Sequence, residues 1–209
     1  MTEIILIRHG ETEWNISGRW QGHADSALSA RGIAQGEALA KRMGMEVVDF
    51  VYASDLERAQ HTARLAGSIA NWRFSLMTQL RERDLGVLEG LTTDEMLDQQ
   101  PEVYRSFLDD GPDYQPPGGE SFSEFSDRCF TAIEKLADMH PGKKIVAFTH
   151  GGVLGVIFRK ILNIGLLAER NFLLLNCSIN RIQKINDSWN LVSWGDVCHL
   201  QGLDSLDDV

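Results

Sequence analysis

Short apolar runs alternate with segments of helical periodicity along most of the chain. Residues 4–7, 50–52 and 145–148 are brief runs rich in β-branched and aromatic side chains, which is typical of strands buried on both faces of a parallel sheet. Apolar residues recur at helical spacing after each of these runs. The alternation predicts an α/β fold, namely a three-layer α/β/α sandwich with a mainly parallel central sheet and helices on both faces.

Three serines precede helical segments at positions that favour helix starts. Ser29 is predicted to cap the first long helix, because its hydroxyl can accept a bond from a free backbone N–H. Ser54 with Glu57, and Ser121 with Glu124, have the spacing of capping boxes. The box at Ser54 would place the next arginine along the chain in the first turn of its helix.

Two regions depart from the alternation. The polar, proline-rich stretch from 78 to 117 predicts an irregular, partly helical excursion, and residues from about 84 to 120 are interpreted as a lid insertion. Residues 178–185 and 188–194 flank an Asn-Asp pair and predict a terminal β-hairpin. Such a hairpin adds an antiparallel edge to the sheet, and an exposed edge there could serve a homodimer.

Length and charge narrow the possibilities. A chain of 209 residues suits one domain over 1–209, and its acidic end predicts a flexible tail over about 203–209. The formal net charge of −10 argues against nucleic acid and anionic membranes as partners, because both need a basic surface. No apolar segment is long enough for a signal peptide or a membrane span, which favours the cytoplasm.

The cysteines and most of the histidines show no pattern of a functional site. Cys129, Cys177 and Cys198 form no Cys-x-x-Cys pair and are interpreted as small buried apolar residues. Neither a metal nor a cofactor is predicted. Four histidines lack metal-ligand spacing and are interpreted as surface or packing residues: His23, His61, His140 and His199.

A possible site appears where two predicted strands end. His9 and His150 each follow a buried run and precede a glycine, and Arg8 stands directly before His9. Ligands of open α/β sheets bind beyond the carboxyl ends of the strands. Arg58, near the start of the helix after a third strand, would reach the same edge. Two guanidiniums and two imidazoles predict a phosphate site, since arginine presents a fork of donors that matches phosphate oxygens.

Four motifs in order carry a family resemblance. The chain reads "RHGETEWN", "SDLERAQHTA", "LRERDLGVLEG" and "FTHGG", and the match spans roughly residues 4 to 154. It resembles the histidine phosphatase superfamily, which includes the cofactor-dependent phosphoglycerate mutases. The resemblance implies that His9 is a nucleophile that becomes phosphorylated and that Glu82 is the proton donor. The remaining implied substrate-binding residues are Arg8, Asn15, Gln21, Arg58, His150 and Gly151.

The chemistry of phosphoryl transfer agrees with these implied roles. Charge spreads over three oxygens in the transition state, so fixed cations are the main contribution of the protein. Arg8, Arg58 and a protonated His150 are expected to supply them. His9 must attack as a neutral ring, and a backbone carbonyl in the turn after it is expected to fix its tautomer. Glu82 would protonate the leaving alkoxide and later deprotonate the attacking water.

Simpler interpretations remain open for single residues. Arg58 could merely pair with Asp55 or Glu57 on its own helix. Asn15 could cap a turn, and Gln21 could be exposed. The role of Glu82 could belong to another carboxylate nearby, and the candidates are Glu57, Asp84 and Glu89.

The segment after Glu82 favours one branch of the family. In the mutases it is long and carries a basic pair for the substrate, whereas residues 92–120 here hold only Arg105. Gly151-Gly152 stands where the mutases usually have Gly-Asn. We therefore expect a metal-independent phosphomonoesterase of the histidine acid type, which hydrolyses a small phosphorylated metabolite through a phosphohistidine. The alternatives are a phosphoglycerate mutase-like phosphotransferase and a phosphoryl-binding module without turnover.

Overall fold

A six-stranded sheet forms the centre of the molecule in the computed structural model, which describes residues 1–203. The strand order is β3-β2-β4-β1-β5-β6. The first four strands in that order run parallel, and β5 and β6 are antiparallel to their neighbours. The strands are β1 (Thr2–Arg8), β2 (Phe50–Ala53), β3 (Ser75–Leu76), β4 (Lys144–Thr149), β5 (Ile179–Ile185) and β6 (Ser188–Asp196).

Helices cover both faces of this sheet, which confirms the predicted three-layer architecture. Helices α2 and α3 pack on one face, and α6 and α7 pack on the other. Among residues 1–203, no helix combines the length and the hydropathy needed to cross a membrane. The helices are α1 (Glu13–Ile16), α2 (Ala30–Met43), α3 (Glu57–Ala66), α4 (Thr93–Gln99), α5 (Pro101–Asp109), α6 (Phe122–Met139) and α7 (Gly151–Leu162).

Strand β1 shows why the sheet is buried on both sides. Ile4 and Leu6 point into the core under α6 and α7, whereas Ile5 and Ile7 point into the core under α2 and α3. All four side chains are fully buried. The period-2 geometry of a strand therefore explains a continuous apolar run rather than an alternating one. It also carries Arg8, the next residue, to the carboxyl edge of the sheet.

The predicted helix starts are mostly confirmed. The Ser29 hydroxyl accepts the Gly32 N–H at 3.0 Å, and Ser121 forms the expected capping box with Glu124. The prediction at Ser54 was wrong. Helix α3 begins two residues later, and its N-cap residue, Leu56, offers no side-chain bond. The carboxylate of Asp25, from the segment between α1 and α2, accepts the backbone N–H groups of Glu57 and Arg58 instead. The Ser54 hydroxyl turns to His150 instead, so a local pattern gave way to a contact between strands.

The proline-rich stretch forms an excursion with a small core of its own. It contains α4, α5 and two short 3₁₀ turns, and Leu88, Met96 and Tyr104 are buried in it. The interpretation of this excursion as a lid stays a prediction. The assignment of the whole chain to a single domain also stays a prediction. Of the predicted acidic tail, residues 204–209 lie outside the described residues.

The structure also bears on the predicted terminal hairpin and on the predicted burial of the three cysteines. The terminal hairpin is confirmed, and Asn186 and Asp187 at its tip have φ angles of 47° and 62°, as a two-residue hairpin turn requires. The burial of Cys129 and Cys177 is confirmed, but Cys198 is exposed. Cys198 is the first residue of a short 3₁₀ turn after β6, in which Leu200 is the residue that is buried.

Candidate active site

The candidate residues gather at the carboxyl ends of β1 and β4. These strands are parallel neighbours, and Arg8 pairs with Thr149 in their register. His9 and His150 are therefore the first residues beyond the two strand ends, and their ring centroids are 5.3 Å apart. A cavity of about 610 Å³ opens over this edge, and Arg8, His9 and Glu82 line it.

His9 is held in one orientation by the backbone. Its Nδ1 lies 2.8 Å from the carbonyl oxygen of Gly10, which confirms the expected acceptor. A carbonyl can only accept, so Nδ1 carries the proton and the lone pair is on Nε2. Burial, together with the neighbouring Arg58 and Arg8, lowers the pKa of His9 well below its usual value. His9 is thus a neutral imidazole with a free electron pair on Nε2.

The surroundings of His150 affect the protonation of its ring. Burial, followed by the charge of Arg58 and the proximity of His9, lowers its pKa well below the usual value. The expectation of a protonated His150 beside a phosphoryl group stays a prediction. The lowered pKa disfavours the cation, because the reference pKa of a solvated histidine does not apply to a buried ring. Nε2 of His150 lies 2.8 Å from the Ser54 hydroxyl, and its Nδ1 is buried without a hydrogen-bond partner.

The two arginines form the cationic part of the site. Arg8 is 2% exposed and donates to the carbonyl of Leu174, and Arg58 is 1% exposed. The guanidinium of Arg58 donates to the Gly22 carbonyl at 2.7 Å and pairs with Asp25 at 2.9 Å. These contacts hold both groups rigidly before a phosphate arrives.

The simpler interpretation of Arg58 was wrong. Asp55 pairs with Arg81, and Glu57 pairs with Arg64. Neither carboxylate reaches Arg58, which lies on the buried side of α3. The segment between α1 and α2 supplies its partner instead, and the distance along the chain explains why the sequence did not reveal it.

Glu82 is oriented through both carboxylate oxygens. Its Oε1 accepts the Arg83 N–H at 2.8 Å, and its Oε2 accepts the Gly152 N–H at 2.8 Å. A Cβ on Gly152 would come within 2.2 Å of Glu82 Oε1, so a larger residue at this position would displace the carboxylate from this orientation. Gly151, the residue expected at the site, is buried in the first turn of α7, and it is Gly152 that lines the cavity.

Other groups hold the backbone around Glu82. Arg128, on α6, donates to the carbonyls of Gln79 at 2.9 Å, Arg81 at 3.2 Å and Glu82 at 3.2 Å. Nε2 of His23 lies 2.9 Å from the same Glu82 carbonyl. Sequence reasoning missed these supports, because a lone arginine on a helix and a lone histidine in a loop carry no motif.

Asn15 and Gln21 both line the cavity, and each is 8% exposed. The side-chain oxygen of Asn15 accepts the Thr12 N–H at 2.9 Å, so this residue also caps α1, as its simpler interpretation expected. The side-chain oxygen of Gln21 is buried without a partner. The suggestion that Gln21 could be exposed was wrong.

The outer walls of the cavity are mostly apolar. Arg83 lies over the ring of Phe107 at 4.6 Å, and burial lowers the pKa of Arg83 to about 10. Arg105 is exposed and does not line the cavity. The apolar lining comes from the loop after α1, the excursion, α6, α7 and the segment after α7: Trp20, Leu85, Phe107, Leu108, Phe122, Phe125, Val156 and Leu174.

Because His9 and His150 are buried as neutral rings, we expect the free energy of unfolding to depend on pH. The unfolded chain takes up protons on His9 and His150 near pH 6.5, whereas the folded protein does not. Their contribution is therefore fully present above that pH and is lost as the pH falls below it, by up to ~1.4 kcal/mol per pH unit for each ring. We expect urea unfolding to give a lower free energy of unfolding at pH 5.5 than at pH 7.5.

The variant His150→Asn should reduce this pH dependence, whereas His140→Asn, at the opposite edge of the sheet, should not. Carboxylates that are paired with cations in the folded protein lose their contribution to stability at a lower pH than the histidines do. The Arg181 guanidinium, for example, holds the pKa of Glu46 at about 2. An unchanged pH dependence in His150→Asn would contradict the assignment of a neutral buried ring.

Comparison with known proteins decides the family. A model of the histidine phosphatase superfamily, branch 1, matches residues 4–197. The chain belongs to the histidine phosphatase superfamily. A metal-independent phosphoserine phosphatase from Arabidopsis thaliana is 38% identical over 209 residues, which are 99% of this chain and 86% of that protein. Phosphoglycerate mutase-like protein 4 from the same plant is 37% identical, over 95% of this chain and 87% of the relative.

A solved structure of the superfamily shares the fold. It is a histidine-to-alanine variant of phosphoserine phosphatase from Entamoeba histolytica in complex with phosphoserine. The two chains are 28% identical, the TM-score is 0.84, and the match covers 96% of this chain and 100% of the other. The arrangement of β1, β4 and the helices around them is therefore that of a histidine phosphatase.

Proposed function

We propose that this protein is a metal-independent phosphomonoesterase of the histidine acid type, which hydrolyses a small phosphorylated metabolite. The observation that carries the proposal is the state of His9. Its proton is fixed on Nδ1 by the Gly10 carbonyl, so Nε2 is a free nucleophile on the floor of a cavity beside Arg8 and Arg58. A structural histidine would need neither the free nitrogen nor the two buried guanidiniums.

The geometry supports a two-step reaction. Nε2 of His9 attacks the phosphorus atom, and the bond to the substrate oxygen breaks as that oxygen takes a proton from Glu82. A phosphohistidine and an alcohol result. Glu82 then removes a proton from water, the oxygen of that water bonds to phosphorus, and the bond to His9 breaks. Inorganic phosphate leaves, and both residues return to their starting states.

The fixed charges of the site serve both steps. Arg8 and Arg58 are buried and already held by protein groups, so little reorganisation is needed as negative charge develops on the phosphoryl oxygens. Two backbone N–H groups orient the carboxylate of Glu82 toward α7. This preorganisation favours enzymatic turnover over mere phosphate binding.

The segment 92–120 supports the phosphatase rather than the mutase. Arg105, the single basic residue of 92–120, is exposed and does not line the cavity, so this segment brings no cation to a second phosphate or to an acidic intermediate. The cation that the excursion does place on the cavity wall is Arg83, whose guanidinium lies over the ring of Phe107. Phosphoserine is the first substrate to test, because the plant relative and the solved structure are named for it. A cytoplasmic location and a homodimer through the outer edge of β6 stay part of this proposal.

The proposal is tested by phosphate release from a substrate panel in the presence of a chelator. The panel contains nitrophenyl phosphate, phosphoserine, glycerol phosphate, 2-phosphoglycerate and 3-phosphoglycerate. We expect release of inorganic phosphate that a chelator does not reduce. Loss of activity with chelator would overturn metal independence, and faster interconversion of the two phosphoglycerates than phosphate release would identify a mutase.

A further inference from the structure

Ser54 lies at the back of the site, between two neighbouring strands. It directly follows β2, and its backbone N–H donates to the Phe148 carbonyl on β4 at 2.9 Å. The residue is fully buried. Its hydroxyl lies 2.8 Å from Nε2 of His150 and also accepts the Leu56 N–H at 3.3 Å. The backbone N–H and the hydroxyl of Ser54 are thus both fixed by hydrogen bonds to backbone groups, and the hydroxyl also contacts His150.

The hydrogen bonds of Ser54 determine where its proton lies. A serine hydroxyl has one proton to donate and two lone pairs with which to accept. Within residues 1–203, Nε2 of His150 is the only acceptor in contact with the hydroxyl. If Nε2 carried the imidazole proton, the hydroxyl would accept twice and its own proton would be buried without an acceptor, which is costly. The arrangement that satisfies every group has Ser54 donating to Nε2.

We propose that Ser54 is a positioning residue for His150: it fixes the ring as the Nδ1–H tautomer and so makes Nδ1 a hydrogen-bond donor to the phosphoryl group. This inference rests on the proposed function. It explains why Nδ1 is buried without a hydrogen-bond partner among the described residues, which is rare for a polar atom. The His9 ring, which receives the phosphoryl group, is 5.3 Å away from centroid to centroid.

The consequence is that His150 stabilises the phosphoryl group without being a cation. Burial, followed by the charge of Arg58, the proximity of His9 and the charge of Arg8, lowers the pKa of His150, so the fixed Nδ1–H donor does not depend on the positive charge expected from the sequence. Such a donor meets oxygens whose charge grows in the transition state, and its loss reduces kcat more than it raises KM. Among residues 1–203, no other hydrogen-bond partner of the His150 ring selects between its two tautomers.

The test combines ¹⁵N NMR of the histidine rings with kinetics on nitrophenyl phosphate, for the wild type, Ser54→Ala and Ser54→Thr. We expect the wild-type His150 ring to be protonated on Nδ1. Ser54→Ala should lose this preference, bind orthovanadate more weakly and show a kcat about 10–100-fold lower, the same order as when groups that orient metal-ligating histidines are removed. Ser54→Thr keeps the hydroxyl and should restore the tautomer and most of the activity.

Ser126→Ala is the matched control, because Ser126 is also fully buried but lies on α6 and its hydroxyl has no partner. It should change neither the ring tautomer nor kcat. An Nε2–H tautomer in the wild type, or an unchanged tautomer in Ser54→Ala, would overturn the proposal. If the wild type hydrolyses no phosphate ester, the proposed function fails, while the tautomer and the orthovanadate affinity still decide the role of Ser54.

Discussion

Replacing His9 with alanine should abolish turnover, with a fall in kcat of at least about 10⁴-fold, because removal of a nucleophile leaves only the binding contribution of the site. Nε2 of His9 is the free nucleophilic nitrogen assigned on the cavity floor, and its lone pair is available because the Gly10 carbonyl fixes the proton on Nδ1. No acid-labile phosphoenzyme should form when the variant is mixed with labelled phosphate ester and quenched. The measurements are steady-state phosphate release and trapping of the phosphohistidine.

The fold of the His9→Ala variant should survive, because the substitution removes a desolvated polar ring and leaves Arg8 and Arg58 in place. Its affinity for inorganic phosphate should therefore stay measurable. His140→Ala is the control: His140 stacks on Phe50 at the opposite edge of the sheet, so the variant should lose stability and keep its kcat. Phosphoenzyme formation in His9→Ala would assign the nucleophile to another residue.

How far the sequence predicts the fold is clear from individual strands. β1 and β4 were predictable because they are central, and burial on both faces leaves continuous apolar runs. β3 was not predicted, because it has only two residues, Ser75 and Leu76, and both are exposed. Its existence depends on pairing with β2, which is a tertiary contact without a local pattern. Short edge strands of this kind cannot be predicted from the periodicity of apolar residues.

The site divides in the same way. His9 and His150 each follow a buried apolar run and precede a glycine, which is a local pattern. Both rings could therefore be predicted from the sequence to lie at the same edge of the sheet. Contacts between distant segments were not predictable, such as Asp25 with Arg58, or Gly152 with Glu82. The lowered pKa of His150 could not be predicted, for a related reason. A side-chain pKa depends on burial and on neighbours from other elements, and these appear only once the chain is folded.

Replacing Glu82 with glutamine should slow alkyl phosphate esters far more than aryl esters. An alkoxide leaving group needs a proton, so we expect kcat for phosphoserine or glycerol phosphate to fall about 10²–10⁴-fold, the usual contribution of a positioned acid or base. Nitrophenolate leaves without a proton, so its release should stay fast in the first turnover. The glutamine amide also loses one of the two hydrogen bonds that Glu82 accepts from backbone N–H groups. Its NH₂ group would face one of these N–H donors and cannot accept from it.

The two halves of the reaction separate in a stopped-flow experiment on this variant. Nitrophenyl phosphate should give a rapid burst of one nitrophenolate per site, followed by a slow phase, because Glu82 is also the base for the water that attacks the phosphohistidine. Glu57→Gln is the matched control, since Glu57 is exposed and pairs with Arg64 on the same helix. It should behave like the wild type. A Glu82→Gln variant with equally slow first turnovers for alkyl and aryl esters would show that Glu82 does not protonate the leaving group.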